Sequence, residues 1–285
     1  MIANATELRR ALDDGATLPA HWYWDEDIQR LEEERIFARS WQYAGPAEKN
    51  GRSASGGRME TWGPLVFVNA DPDAAPLVNT LGEVPETVAS SGVDLGSLRH
   101  RARVEWEIPA NWKVAIENYL ECYHCPVAHP GFSKVMDVDP DAYLLRSHGV
   151  CSTQLAPLKA SARAGKGPAY VSDGVVTQAQ YHFVWPNTTV NVEAGPMNLS
   201  VDISRPAGPE RTVGLTDYYF ADDVDDETAR AIMEFANQVG AEDAALVESV
   251  QRGLSSGMIP HGRLLLSSEH LIQHFQNLVF ETLTR

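Results

Sequence analysis

Four strand patterns follow one another between residues 181 and 220, and they restrict the possible folds more than any other feature of this sequence. They cover residues 181–185, 188–193, 199–205 and 212–220, and in the third pattern Leu199, Val201 and Ile203 alternate with polar residues. The connecting segments are rich in proline, glycine and asparagine, and they are too short for crossover helices. The sequence therefore predicts an antiparallel sheet rather than a series of βαβ units.

The flanking segments complete an α+β pattern. Val104, Trp106 and Ile108 alternate with charged residues, which predicts a half-buried strand before the four strand patterns. Apolar residues recur at helical spacing from about 227 to 251 and again from 271 to 283, which predicts a long helix and a C-terminal helix. Residues 130–178 lack a clear period and are predicted to form a long irregular passage.

Histidines, cysteines and glutamates concentrate in residues 111–130, NWKVAIENYLECYHCPVAHP. The first part has helical spacing, which places Glu121 and His124 on one face. Pro126 is incompatible with a helix interior, so the helix is expected to break near Cys125. The break would let His129 return toward His124 and form a pair of metal ligands.

Three interpretations of this segment remain open at this point. Two imidazoles and one carboxylate suit non-haem Fe(II), whereas Cys122 and Cys125 with His129 could form a structural zinc site. The histidines could also be hydrogen-bonded core residues. Asp243 is the candidate third ligand because it interrupts the apolar stripe of the long helix, where a carboxylate needs a partner. A salt bridge, or local exposure beside Gly240, is the alternative explanation for Asp243.

Charge and composition exclude several classes of partner. The chain has 285 residues and a formal net charge of −16, which argues against binding to nucleic acid or to an anionic membrane surface. It contains no apolar run of about 18 residues and no apolar leader at its start. Three cysteines do not make a disulfide framework. These features predict a cytoplasmic protein.

Three segments, NWKVAIENYLECYHCPVAHPGF, FVWPNTTVNVEAGP and EDAALVESVQRGL, resemble the catalytic domain of Rieske non-haem iron oxygenase α subunits. This family contains the aromatic-ring-hydroxylating dioxygenases and their demethylating relatives. The resemblance implies a helix-grip fold, in which a curved antiparallel sheet and a long C-terminal helix enclose mononuclear Fe(II) and the substrate. It also implies O2 as co-substrate, a ferredoxin or reductase as electron donor, and a homotrimer.

The resemblance assigns roles to individual residues. His124, His129 and Asp243 match the iron-binding triad. Glu121 matches the acidic residue that bridges iron and Rieske cluster between neighbouring subunits, and glutamate at this position resembles the members that act on quaternary amines. Tyr119 and Tyr123 are assigned to the surroundings of the metal, although plain core positions are an equal alternative.

Substrate-binding residues are predicted from the strands. Trp185, Asn191 and Val201 are expected to form walls of the substrate pocket. For a cationic substrate, Tyr181, Phe183 and Trp185 could supply an aromatic box. The sequence does not distinguish quaternary amines from aromatic acids.

The family's Rieske domain has no counterpart in this sequence. A [2Fe–2S] Rieske cluster needs a Cys-x-His and a Cys-x-x-His pair, but only Cys122-Tyr-His124 has the first spacing, and Cys151 is followed by Ser-Thr-Gln. We therefore divide the chain into an N-terminal helical segment (1–49), a linker at the place of the missing domain (50–58) and the helix-grip catalytic domain (59–285).

Two functions follow from these features. The first is an oxygenase that hydroxylates, dihydroxylates or demethylates a small aromatic or quaternary-amine substrate. The alternative is a non-catalytic, degenerate subunit that binds a ligand or assembles with a complete homologue.

Overall fold

The computed structural model describes residues 5–47, 57–172 and 174–285. Residues 50–56 of the predicted linker lie outside these ranges. The strands are β1 (Gln42–Pro46), β2 (Arg58–Trp62), β3 (Leu65–Asn69), β4 (Leu98–Ile108), β5 (Leu144–His148), β6 (Cys151–Pro157), β7 (Gln178–Val184), β8 (Thr188–Val192), β9 (Asn198–Gly208) and β10 (Arg211–Ala221).

The described residues also form ten α-helices. In chain order they are α1 (Ala5–Asp13), α2 (Glu26–Arg35), α3 (Leu77–Leu81), α4 (Val84–Ser90), α5 (Trp112–Tyr119), α6 (Cys125–Ala128), α7 (Phe132–Val135), α8 (Ala169–Ser172), α9 (Asp226–Ser255) and α10 (Leu266–Thr284). None of the described helices is both long enough and apolar enough to cross a membrane.

A seven-stranded antiparallel sheet in the order β4-β10-β9-β8-β7-β6-β5 forms the centre of the molecule. The four strands predicted between residues 181 and 220 all form, as do the strand before them and both predicted helices. The α+β, helix-grip prediction is therefore confirmed. The prediction for residues 130–178 was wrong in part, because β5 and β6 form within them. In β6, Ser152, Thr153 and Gln154 are all buried, so this strand lacks the alternation that would have revealed it.

The two faces of the sheet have different chemistry because alternate residues of a strand point to opposite sides. On one face Val190, Val192, Leu199, Val201 and Ile203 are fully buried. They pack in one apolar cluster with residues of β1, β3, α3 and α4. The other face is polar at β8 and β9, and it faces α5 and α9.

Capping residues fix the helices that cover this polar face. Asn111 precedes α5 and its side chain accepts a hydrogen bond from the backbone N–H of Lys113. Asp225 precedes α9 and accepts from the backbone N–H of Thr228. Both caps bind backbone donors that the first turn of a helix leaves unpaired. The second long element, α10, packs its Phe275 against the core beside α5.

Candidate active site

The histidine segment forms a helix, a turn and a second short helix. The predicted break near Cys125 was misplaced, because α5 already ends at Tyr119. Pro126 lies in the first turn of α6, where a proline is tolerated since its missing N–H would have no helical partner. Glu121 and His124 are therefore joined by the turn between α5 and α6 rather than by a common helix face.

Three ligand atoms converge at this turn, as the sequence predicted for His124, His129 and Asp243. The two Nε2 atoms are 3.0 Å apart, and Asp243 Oδ1 lies 2.9 Å from His129 Nε2 and 3.4 Å from His124 Nε2. Two ligand atoms at right angles around one metal, each roughly 2.1 Å from it, are about 3.0 Å apart. The triangle therefore has the size of one face of an octahedral metal site.

The tautomers of both histidines favour a cation at the centre of this triangle. Glu121 accepts a hydrogen bond from His124 Nδ1, and Glu242 accepts one from His129 Nδ1 at 2.8 Å. Because a neutral imidazole carries only one N–H, both Nε2 atoms then present lone pairs. Two lone pairs and a carboxylate oxygen at such short distances repel one another unless a positive charge lies between them. The residues thus fit a divalent metal.

A proton on an Nε2 atom can supply the positive charge in place of a metal, and the pKa values at the triangle show that this charge is favoured. Burial disfavours the charged imidazole of His124, but its hydrogen bonds to Asp243 and Glu121 outweigh burial and raise its pKa to about 9. Burial also opposes the charge on Asp243, yet its hydrogen bonds with the two histidines lower the pKa of its carboxyl group. Asn118 donates a further hydrogen bond to Asp243 Oδ1 at 2.7 Å and fixes its orientation.

The cysteines do not support a zinc site. The sulfur of Cys125 lies within 4.8 Å of the ligand nitrogens of His124 and His129, but it is bonded to Cys122 in a disulfide. Zinc binds a thiolate, and a disulfide sulfur is not one. Two of the three cysteines, expected not to form a disulfide framework, therefore do form one short-range bridge.

A cavity of about 480 Å³ opens beside the triangle, between the polar face of the sheet and helices α5 and α9. Its wall includes all three predicted ligands and Glu121. Aromatic side chains contribute much of the rest of the wall: Trp106, Tyr119, Phe132, Tyr143, Tyr181, Tyr218 and Phe235. The strands supply Thr189, Asn191, Glu193, Ser200, Asp202, Ser204 and Thr216.

Two of the predicted site residues, Tyr119 and Asn191, belong to the wall of the cavity. Tyr119 lines the cavity, and its hydroxyl donates a hydrogen bond to Asn191 Oδ1 at 2.7 Å. Asn191, predicted to contact substrate, also lines the cavity. Tyr123 does not belong to the surroundings of the metal, since it follows the turn outward and is 62% exposed.

The other two predicted wall residues, Trp185 and Val201, lie outside the cavity. Val201 belongs to the apolar face of β9, so it packs on the side away from the cavity, against a small sheet of three strands in the order β1-β3-β2. Trp185 packs against Phe275 of α10, as does Phe183. Of the proposed aromatic box, only Tyr181 lines the cavity.

Comparison with known proteins places this site in a family. Residues 95–285 match the family described as ring hydroxylating alpha subunit (catalytic domain). The chain belongs to this family of oxygenase subunits. Members of the family use a mononuclear iron and a Rieske cluster, and the facial His-His-Asp arrangement fits the first of these groups.

Two relatives of similar sequence are monooxygenases. The carnitine monooxygenase oxygenase subunit of Acinetobacter pittii is 33% identical over 88% of this chain and 68% of its own length. The chloroplastic choline monooxygenase of Arabidopsis thaliana is 30% identical over 79% of this chain and 54% of its own length. This family member thus spans between about half and two thirds of these relatives.

The fold is also that of a solved family structure. A crystal structure of the quaternary ammonium Rieske monooxygenase CntA, in complex with an inhibitor, aligns with a TM-score of 0.79 and 24% identity. The alignment covers 94% of this chain and 95% of that one.

The cysteines do not fit the family's Rieske cluster. That cluster requires two cysteine and two histidine ligands, and this chain has three cysteines. Cys122 and Cys125 are joined to each other. Cys151 is buried, and burial raises the pKa of its thiol to about 12. None of them can supply the cluster.

Sequence reasoning missed Glu242, Asn118, Glu193 and Asp202. The signal for Glu242 is its position directly before Asp243, and the signal for Asn118 is its position three residues before Glu121. Asp202 occupies a polar position of the alternating strand β9, and Glu193 follows directly after the last residue of β8. The alternation of β9 was recognised from the sequence, but its apolar residue Val201 was assigned to the pocket instead of its polar residues.

Proposed function

We propose that this chain is the catalytic domain of an oxygenase that uses mononuclear Fe(II) and O2 to oxidise a quaternary amine, with loss of a methyl group or cleavage beside nitrogen. The observation that carries the proposal is the convergence of His124, His129 and Asp243 on the wall of a cavity that also presents seven aromatic rings. The dioxygenation of an aromatic ring, which the sequence left open, is not part of this proposal.

The lining of the cavity favours a cation over an aromatic acid. A quaternary ammonium group has no N–H to donate, so it is bound by aromatic faces and by carboxylates. The described lining offers seven aromatic rings and five carboxylates, and it contains no lysine or arginine. An aromatic acid would need a cationic side chain for its carboxylate. The monooxygenases of quaternary amines among the relatives support the same substrate class.

Each residue around the triangle has a distinct task in this proposal. His124, His129 and Asp243 would hold the metal at the wall of the cavity. Glu121 and Glu242 fix the histidine tautomers, and such partners also raise the basicity of the ligand nitrogens. Iron held by two histidines and one carboxylate supplies the activation of O2. The cavity walls keep water away from the bound substrate.

Glu121 is also proposed to connect the site to an electron donor. In the family its counterpart bridges iron and the Rieske cluster of a neighbouring subunit, so we propose a homotrimer that receives electrons from a cluster outside this chain. Within this chain the visible task of Glu121 is its hydrogen bond to His124 Nδ1. Reductase or ferredoxin would serve that external cluster.

Iron binding tests the site directly. Anaerobic reconstitution should give about one Fe(II) per chain, and His124→Ala or Asp243→Ala should abolish it. The matched control is the double variant Cys122→Ser/Cys125→Ser, which should retain iron because neither sulfur is a ligand. Loss of metal in the control with retention in Asp243→Ala would establish the zinc site instead.

Turnover tests the reaction. The iron-loaded chain should oxidise a quaternary amine slowly with hydrogen peroxide, which supplies both oxygen and electrons, and should show no sustained turnover with NADH and a reductase. Mass spectrometry of the products measures both. Sustained reductase-driven turnover by this chain alone would contradict the assignment of the cluster to another chain. Activity only after addition of a full-length homologue would identify a subunit of a mixed oligomer.

A further inference from the structure

Every formally charged residue in the described lining of the cavity, histidines apart, is acidic. Three of these five carboxylates have a partner that can carry positive charge. Glu107 pairs with Arg211 at 2.6 Å, and Glu121 and Asp243 contact the two histidines. The remaining two, Glu193 and Asp202, have no ion pair with any residue that the structure describes.

Asp202 is held in the cavity wall by neutral donors. It lies on β9 opposite Thr189 of β8 and Thr216 of β10. Its Oδ2 accepts hydrogen bonds from Asn191 Nδ2 at 2.7 Å and from the hydroxyl of Thr189 at 3.1 Å, and its Oδ1 accepts one from Thr216. These donors orient the carboxylate but do not neutralise its charge.

Glu193 has a similar environment next to Asp202. Its Oε2 accepts a hydrogen bond from the hydroxyl of Tyr181 at 3.1 Å. Burial raises the pKa of Glu193 to about 7, and the nearby charge of Asp202 adds to this effect. Burial likewise raises the pKa of Asp202. Both ionised groups are thus unfavourable until a positive charge enters the cavity.

We infer that Glu193 and Asp202 are specificity-determining residues that select a cation without a carboxylate, such as choline, and reject zwitterions such as carnitine. The inference rests on the proposed function, because it concerns the same cavity. A cation with a hydroxyl group can donate to one of these carboxylates while its ammonium group contacts aromatic faces. A ligand carboxylate in the same cavity meets two negative charges and no arginine or lysine.

The inferred preference differs from the substrate named for the Acinetobacter relative, which is more similar in sequence to this chain than the Arabidopsis relative is. The Acinetobacter relative is a carnitine monooxygenase subunit, and the carboxylate carbon of carnitine is four bonds from its nitrogen. Sites that bind carboxylates use the paired N–H donors of arginine or the ammonium of lysine. No such side chain lies in the described lining here, so identity alone does not transfer the substrate.

Isothermal titration calorimetry of the full chain, loaded with Fe(II) under argon at pH 8, tests the inference. The ligands are choline, carnitine and carnitinamide, in which an uncharged amide replaces the carboxylate of carnitine. Choline and carnitinamide should bind at least tenfold more tightly than carnitine. The comparison of carnitine with carnitinamide changes one group of the ligand and leaves the protein unaltered.

Variants then assign the effect to residues. Glu193→Gln and Asp202→Asn should each weaken choline binding about tenfold and should narrow the difference between carnitinamide and carnitine. Glu105→Gln is the matched control, because this residue is on β4 but is exposed and lies outside the described lining of the cavity, and it should leave both quantities unchanged. Circular dichroism verifies that each variant is folded, and the ligand comparison on the unaltered chain stands if one is not.

The outcomes distinguish this inference from the proposed function. Binding of carnitine as tight as that of carnitinamide would overturn the inference and leave the quaternary-amine function standing. Equal loss of choline affinity in Glu105→Gln would also overturn it, since the selection would then come from general surface charge. If none of the three ligands binds, both proposals are wrong.

Discussion

Replacement of Glu193 by glutamine is expected to stabilise the free protein, and to do so only at neutral and alkaline pH. The side chain is of equal size, and its amide oxygen can accept the hydrogen bond that Tyr181 now donates to the carboxylate. What the substitution removes is the negative charge. Since that charge has no cationic partner among the described residues, its removal is expected to raise the free energy of unfolding.

The magnitude follows from the pKa of Glu193, which burial raises from 4.5 to about 7. Each tenfold change in an ionisation equilibrium corresponds to about 1.4 kcal/mol, so the ionised group costs the fold at most roughly 3 kcal/mol. The unfolded chain binds fewer protons than the fold between these two pH values, so the stability of the unsubstituted protein falls as pH rises from 4.5 to 7. Glutamine does not titrate, so the variant escapes this decrease.

Urea unfolding at pH 5 and at pH 8.5 measures the effect. The variant should be more stable by about 1–3 kcal/mol at pH 8.5 and nearly equal to the unsubstituted protein at pH 5. Choline should stabilise the unsubstituted protein more at pH 8.5 than at pH 5, because the carboxylate it binds is then ionised. A gain of the same size at both pH values, or no gain at pH 8.5, would refute the assignment of an unpaired charge to Glu193.

Three further predictions concern a buried ion pair, a close contact at the cavity wall and the Rieske cluster. Glu32→Ala leaves the fully buried ammonium of Lys113 without its ion-pair partner, so it should lower the free energy of unfolding by about 3–5 kcal/mol. The double variant Glu32→Leu/Lys113→Met removes both charges and should cost clearly less in the same urea titration. Gly214→Ala places a methyl group 2.2 Å from the ring of Trp106, which lines the cavity. The substitution should lower the free energy of unfolding by about 1–3 kcal/mol and weaken choline binding, because the ring must move. An unchanged free energy of unfolding together with unchanged choline affinity would contradict that contact. The purified chain should lack the visible absorption and the reduced-state EPR signal of a Rieske centre, and either signal with stoichiometric acid-labile sulfide would show that cluster ligands had been overlooked.

The parts of the fold that could be predicted are those in which a local pattern decides the outcome. Strands β7–β10 have short turns and alternating side chains, so each is specified by its own sequence. Helix α2 likewise begins at a local signal, because the side chain of Asp25 accepts the backbone N–H groups of Asp27 and Ile28. Strand β6 is buried on both faces and contains polar residues, so no local pattern could reveal it.

The site was predictable in its ligands and less so in its walls. The spacing of His124 and His129 and the polar interruption at Asp243 indicated three candidate ligands, the family resemblance favoured them over the alternatives, and the fold brings them together. Which face of β9 meets the cavity depends on what packs against the sheet from each side, and that is a tertiary property. The alternate apolar residues Leu199, Val201 and Ile203 suit either a pocket or a core, and here they belong to the core.

The two faces of β8 and β9 separate the requirements of folding from those of recognition. Residues 190, 192, 199, 201 and 203 maintain the apolar contact with the small sheet, whereas residues 189, 191, 200, 202 and 204 meet the cavity. A single substitution on the cavity side can therefore change which ligand the cavity accepts without weakening the apolar contact on the opposite face. In an evolving lineage, such a sheet allows new substrate preferences to arise in small steps while the scaffold is conserved.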